Sequence, residues 1–139
     1  MGRQAKNVYI NLPVKHVNTS RAFFEQLGFD FHQRFSNDQV ACVIINERMI
    51  VMLISHKHFQ FISEKQLVDA RNASEIIISL QVDTREEVNE LVKKAIQAGG
   101  SPFKEKQDYD FMYGWSFQDL DGHLWEVFYM DEEKGSSLS

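Results

Sequence analysis

A single cysteine, Cys42, leaves this 139-residue chain with no disulfide framework and no cysteine-rich metal knot. It lies inside the apolar run VACVII, so a buried, inert thiol and an intracellular setting are expected. Long hydrophobic runs are missing too. Nothing approaches the ~18 consecutive apolar residues of a membrane span, and the opening MGRQAKNVYI lacks the apolar stretch of a secretion signal. A cytoplasmic protein with no membrane partner is expected. Nor is one sign of charge in large excess: 15 basic and 20 acidic residues are well mixed for a net charge of −5, which gives no basic footprint for nucleic acid. What remains is a length suited to one domain, or to two very small fused modules, and sufficient to bury a genuine core.

Two stretches of the chain follow the same order of elements. VYINLPV alternates Val8, Ile10, Leu12 and Val14 with Tyr9, Asn11 and Pro13, the period of a half-buried strand. NTSRAFFEQLGF reads as a short helix capped by Asn18 or Thr19, facing inward through Ala22, Phe23 and Leu27 and ended by Gly28. Strands are expected near 29–35, 39–46 and 48–55, with turns at Asn37-Asp38 and Asn46-Glu47. Residues 56–74 read as a connector with a short helix around Ser63 to Ala70. Then SEIIISLQVD alternates again, and TREEVNELVKKAIQAGG forms an amphipathic helix with a capping box, Thr84 and Glu87, and a glycine end. Strands near 102–105, 109–118 and 123–130 complete the second set, before a polar tail at 131–139 expected to fray. Val14 and Val82 end the two matching first strands, 68 positions apart. The expected fold is therefore α+β: two tandem βαβββ modules, about 7–55 and 75–130, with curled mixed sheets enclosing a cleft.

The stretch YDFMYGWSF sets an aromatic at every odd position from Tyr109 to Phe117. Its direction depends on the next turn. In FQDLDGHL a three-residue loop, Leu120-Asp121-Gly122, with a left-handed glycine sets Asp119 opposite His123 and Ser116 opposite Glu126. Opposed residues share a face, so Phe111, Tyr113, Trp115 and Phe117 are directed to the helix side. Glu126 falls with Asp110, Met112, Gly114 and Ser116. The wholly apolar faces of the two first strands belong against the helices, which leaves Tyr9 and Asn11, and Ile77, Ser79 and Gln81, for the cleft. The candidate binding residues are thus Tyr9, Asn11, Ile77, Ser79, Gln81, Asp110, Met112 and Ser116, with Glu126 as the candidate catalytic group.

The duplicated order, INLPVKHVNTSRAFFEQLGF near the start and SFQDLDGHLWEVF near the end resemble the vicinal oxygen chelate superfamily of glyoxalases, bleomycin-resistance proteins and extradiol dioxygenases. The second motif is the specific one: Phe117, Asp119, Asp121, Gly122 and Glu126, with Leu120 where the family commonly has proline. The resemblance implies a homodimer and makes Glu126 a metal-ligand position. It puts the first-strand ligand positions at Tyr9 and Ile77 and the remaining one near Val51, none of them a usual divalent-metal ligand. One ligand does not hold a catalytic metal, so no metal residues are assigned and a divalent metal is not expected. His56 and His58 read as part of a solvated loop, His123 as a turn residue, and His16 and His32 receive no role.

Two readings follow. One is a metal-independent protein binding a small, partly apolar molecule in its cleft, as bleomycin-resistance proteins do. The other is a lactoylglutathione lyase-like or dioxygenase-like enzyme with Glu126 as ligand or base, the metal polarising adjacent oxygens.

Overall fold

The alternation at the start of the chain becomes strand β1 (Val8–Val14), followed by helix α1 (Val17–Gln26), β2 (Asp30–Phe31), a 3-10 turn at Gln33–Phe35, β3 (Val40–Ile44), β4 (Met49–Ser55) and helix α2 (His56–Ser63). The second set is β5 (Ile77–Val82), α3 (Arg85–Gln97), β6 (Ser101–Pro102), β7 (Gln107–Asp108), β8 (Met112–Gln118) and β9 (Leu124–Met130). These elements come from a computed structural model that describes residues 2–133. The α+β chain divides into two compact units between Leu67 and Val68. No described helix is long and apolar enough to cross a membrane.

In the first unit the strand order is β1-β4-β3-β2, with β1 parallel to β4 and the other pairs antiparallel. Leu12, Val14, Ala41, Val43, Val51 and Leu53 are buried on one side of this sheet. Helix α1 packs on β3 and β4 and buries Phe23 and Phe24, whose rings meet edge to face at 5.0 Å. Each such apolar side chain, fully buried, stabilises by about 1.5–3 kcal/mol.

Three elements differ from the sequence expectation here, each because a polar side chain or a buried anchor redirects the backbone. The strand expected over 29–35 stops at Phe31. The Cys42 N–H that a longer strand would pair donates instead to Ser36 Oγ at 3.3 Å, and Ser36 Oγ donates to His32 O at 2.7 Å. Helix α1 starts at Val17 with His16 as a cap that makes no side-chain hydrogen bond, so Asn18 and Thr19 are exposed first-turn residues. Burial of Val17 anchors that turn. The helix expected near Ser63–Ala70 lies earlier, at 56–63, because Ser55 caps it by accepting from His58 N at 3.3 Å.

In the second unit the order is β5-β9-β8-β6, with β7 also beside β8. Thr84 Oγ1 accepts from Glu87 N at 3.0 Å, and Glu87 Oε1 accepts from Asp83 N at 3.3 Å, one residue ahead of the usual capping box. Helix α3 packs on β8 and β9 and buries Val88, Val92 and Ala95, while Phe117, Trp125 and Val127 are buried in the same unit. The strand expected near 102–105 is split. Pro102 pairs with Phe117 and Gln107 with Gly114, so residues 103–106 face only Trp115 and Ser116 and must bulge away from the sheet edge. Of the tail, Asp131 N donates to Phe111 O at 2.8 Å and Glu132 accepts from Gln81 at 3.0 Å; the expectation for 134–139 lies outside the described residues.

Candidate functional site

The turn between β8 and β9 sets the site. Gly122 has φ +90°, and Asp119 N donates to His123 O at 3.0 Å, which closes the loop at Leu120-Asp121-Gly122. Ser116 consequently opposes Glu126 and Gln118 opposes Leu124, the register read from the sequence. In the parallel pairing of β5 with β9, Ser79 lies beside Glu126 and Ile77 beside Leu124. Strand alternation then gathers Ile77, Ser79, Gln81, Met112, Ser116 and Glu126 on the face turned away from α3.

Glu126 on this face is half-buried, and its Oε1 accepts from Ser79 Oγ at 3.1 Å. Among the described residues this is its one side-chain hydrogen bond, which leaves acceptor capacity over. Gln81 is committed to Glu132 at 3.0 Å. Asp110 precedes β8 in the exposed turn closed by Tyr109 N donating to Met112 O at 2.8 Å, so alternation along β8 does not govern it. In the first unit Tyr9 and Asn11 lie on the sheet face opposite Leu12 and Val14, with Tyr9 55% exposed.

A cavity of about 70 Å³ in the second unit is lined by Ile77, Phe103, Trp115, Ser116, Leu124 and Glu126, among others. The core assignment holds for part of the aromatic ladder. Tyr113 is buried, its hydroxyl donating to Asn89 of α3 at 2.6 Å, and Phe117 is buried with its ring parallel to that of Trp125 at 6.2 Å. Trp115 is different. It is half-buried, Lys106 Nζ sits 4.6 Å from its ring centroid, and it lines the cavity with Glu126. The bulge at 103–106 opens the edge of β8 at this residue, so parity alone no longer decides its environment. Phe103 and Lys106 were not singled out in the sequence, since the signal, four residues facing two, exists only once the pairing is known.

Asp119 organises the turn rather than the cavity. Its Oδ1 accepts from Asp121 N and His123 N, each at 3.0 Å, and its Oδ2 accepts from Trp125 Nε1 at 3.0 Å. Burial raises its pKa above the ordinary carboxylate value, against the opposing pull of His123 and these hydrogen bonds. His123 is itself buried, with its backbone tied to Asp119.

The residues present do not fit a divalent metal. In the repeat, Ser79 and Glu126 correspond to Asn11 and Met52, which pair in the same parallel ladder. The fourth position is therefore Met52 rather than Val51, whose side chain is fully buried. At these positions the first unit offers the phenol of Tyr9 and the thioether of Met52, and the second the alkyl group of Ile77 and the one carboxylate of Glu126. Among the described residues no three His, Cys, Asp or Glu side chains form a metal-holding group. His56 and His58 occupy one helix rather than a loop, two positions apart and so on different faces.

A second cavity, about 230 Å³, lies in the first unit and is lined by Tyr9, His32, Phe35, Cys42, Ile50 and Met52. Burial pushes the Cys42 thiol up, opposed by the charge of Arg21. Cys42 Sγ lies 3.6 Å from Phe35 O as a donor.

Comparison with known proteins agrees with this architecture. The model of the glyoxalase/bleomycin resistance protein/dioxygenase superfamily matches residues 6–127. A hypothetical protein, SA1046 from S. aureus, is 32% identical, with a TM-score of 0.78 over 91% of this chain and 95% of that one. A glyoxalase/bleomycin resistance protein/dioxygenase family enzyme from Burkholderia phytofirmans PsJN is 17% identical, with a TM-score of 0.75 over 88% of this chain and 96% of that one. The fosfomycin resistance protein FosX from Mesorhizobium loti is 11% identical, with a TM-score of 0.67 over 98% and 99%. No curated protein matches. The match across residues 6–127, most of the chain, places it in the glyoxalase/bleomycin resistance protein/dioxygenase superfamily.

Proposed function

We propose that the protein binds a small, partly apolar molecule without a catalytic divalent metal, and that Glu126 anchors a hydrogen-bond donor or cationic group on that molecule. The observation that carries this reading is the carboxylate of Glu126, oriented by Ser79 at 3.1 Å, in a cavity where Ile77, Leu124, Phe103 and Trp115 stand beside Lys104, Glu105 and Gln107. A carboxylate held by one hydroxyl keeps lone pairs for a ligand, and the apolar part of the lining gives the rest of the molecule a surface to pack on. Tyr9, Ile77 and Met52 supply too few hard donors for the metal-dependent lyase or dioxygenase chemistry of relatives. A homodimer in the cytoplasm belongs to the same proposal, and sedimentation equilibrium tests the dimer.

The binding reading is tested with an aromatic cation, benzamidine, against its neutral analogue benzamide, followed by amide NMR shifts. Benzamidine is expected to bind more tightly and to perturb residues around Glu126, and Glu126→Gln to abolish the preference. Equal affinity for both probes, or unchanged selectivity in Glu126→Gln, would reject the reading. So would turnover of a methylglyoxal-thiol adduct on addition of Ni²⁺ or Zn²⁺.

A further inference from the structure

The cavity of the first unit has a chemistry of its own. Phe31 pairs with Val43, and His32 N donates to Cys42 O at 3.0 Å, so His32 is the next residue opposite Cys42. On its other side Cys42 opposes Met52 of β4. Ile45 N donates to Met49 O and Ser55 N to Gln39 O, which makes the odd-numbered residues of β3 the ones hydrogen-bonded to β4. Cys42 and Met52 are therefore a non-hydrogen-bonded pair, the kind whose Cβ atoms approach most closely, about 4.5–5.5 Å. His32, Cys42 and Met52 thus form a row across three neighbouring chain segments, and all three line the same cavity of about 230 Å³.

We propose that this row is a binding site for a soft monovalent metal ion, Cu(I) in particular, held by the Cys42 thiolate, the Met52 thioether and the His32 imidazole. The donor set decides the ion. A thiolate and a thioether are soft ligands that select Cu(I), and imidazole suits copper, whereas magnesium and calcium prefer oxygen. Binding forms the sulfur–copper bond as the Cys42 thiol releases its proton to solvent; copper enters and stays as Cu(I), so no electron is transferred. The site lies wholly in the first unit and does not involve Glu126; the Met52 thioether, a poor ligand for a hard divalent ion, is a good one for Cu(I).

The test is anaerobic titration of the intact protein with Cu(I) against the competing chelator bathocuproine disulfonate, with near-ultraviolet sulfur-to-copper absorption as a second readout. Wild type is expected to take up one Cu(I) per chain. Cys42→Ser should lose the absorption band and the uptake, while Met52→Leu and His32→Gln should each weaken binding by roughly tenfold or more. Met52→Leu nearly conserves volume, and far-ultraviolet circular dichroism checks that every variant is folded. Absence of stoichiometric uptake would overturn the proposal. So would wild-type affinity in both Met52→Leu and His32→Gln, which would reduce the site to a thiol alone.

Discussion

Asp119 accepts three hydrogen bonds at the β8–β9 turn, and each of them depends on its being an acceptor. Replacing it with Asn turns one oxygen into a donor, which must face either the backbone N–H groups of Asp121 and His123 or the indole N–H of Trp125. The expected cost is about 1–3 kcal/mol in urea unfolding, the penalty for a buried group left unsatisfied. Its raised pKa adds a sign that can be checked. A carboxyl that holds its proton more tightly when folded contributes stability below the ordinary carboxylate pKa and loses it as pH rises through the folded value. Wild-type stability relative to Asp119→Asn should therefore fall with rising pH across that window. At the neighbouring Gly122, a Cβ would come within 2.8 Å of Arg71 Cγ and 2.9 Å of Arg71 N, at a φ of +90°. Gly122→Ala is expected to destabilise by more than ~1 kcal/mol, since both strain and contact oppose it; a thermal melt reads this directly.

At the scale of elements, the two long helices begin in physically different ways. Helix α3 is held by the Thr84 hydroxyl, so Thr84→Ala should cost about 1 kcal/mol. Helix α1 has no side-chain cap, so Asn18→Ala and Thr19→Ala should each stay within ~0.5 kcal/mol of wild type. Chemical denaturation of the three variants side by side tests the contrast. The Thr84 cap of α3 is legible because Thr84 and Glu87 act locally, although Glu87 reaches Asp83 N rather than the cap's own N–H, and the register at Glu126 is legible because a three-residue turn fixes it. The short β2 was not legible, because Ser36 takes the Cys42 N–H through a contact six residues apart that no periodicity encodes. The position of α2 was missed for a related reason: Ser55 ends one element and caps the next. Parity alone directs Trp115 to the core, and only the bulge at 103–106 shows why it also lines the cavity.

For the whole chain, the useful fact is its division into two units that meet in sequence at Leu67 and Val68. The segment around this junction is exposed, with Glu64 in a left-handed conformation at φ 57°. Limited trypsin digestion should therefore cut after Lys65 early. Arg71 is in the same exposed stretch, but its guanidinium donates to Leu120 O at 3.1 Å and its backbone packs beside Gly122. Cleavage after Arg71 should lag behind, and mass spectrometry of the first fragments decides the order. The two units also differ in the chemistry of their cavities, sulfur and imidazole in the first, a carboxylate in the second. Legibility was good for the repeat itself and poor for this difference, because the sequence placed His32 and Cys42 in separate strands with no sign that they share a row.

The bonds around Asp119 also bear on how the chain folds in time. Each of them joins residues at most six apart, whereas the Ser79–Glu126 bond spans 47. Short loops lose little chain entropy on closing, and contacts distant in sequence form late. The β8–β9 hairpin should thus assemble early and offer an edge on which β5 docks. In stopped-flow refolding, Asp119→Asn would then slow folding more than it speeds unfolding, while Ser79→Ala would do the reverse.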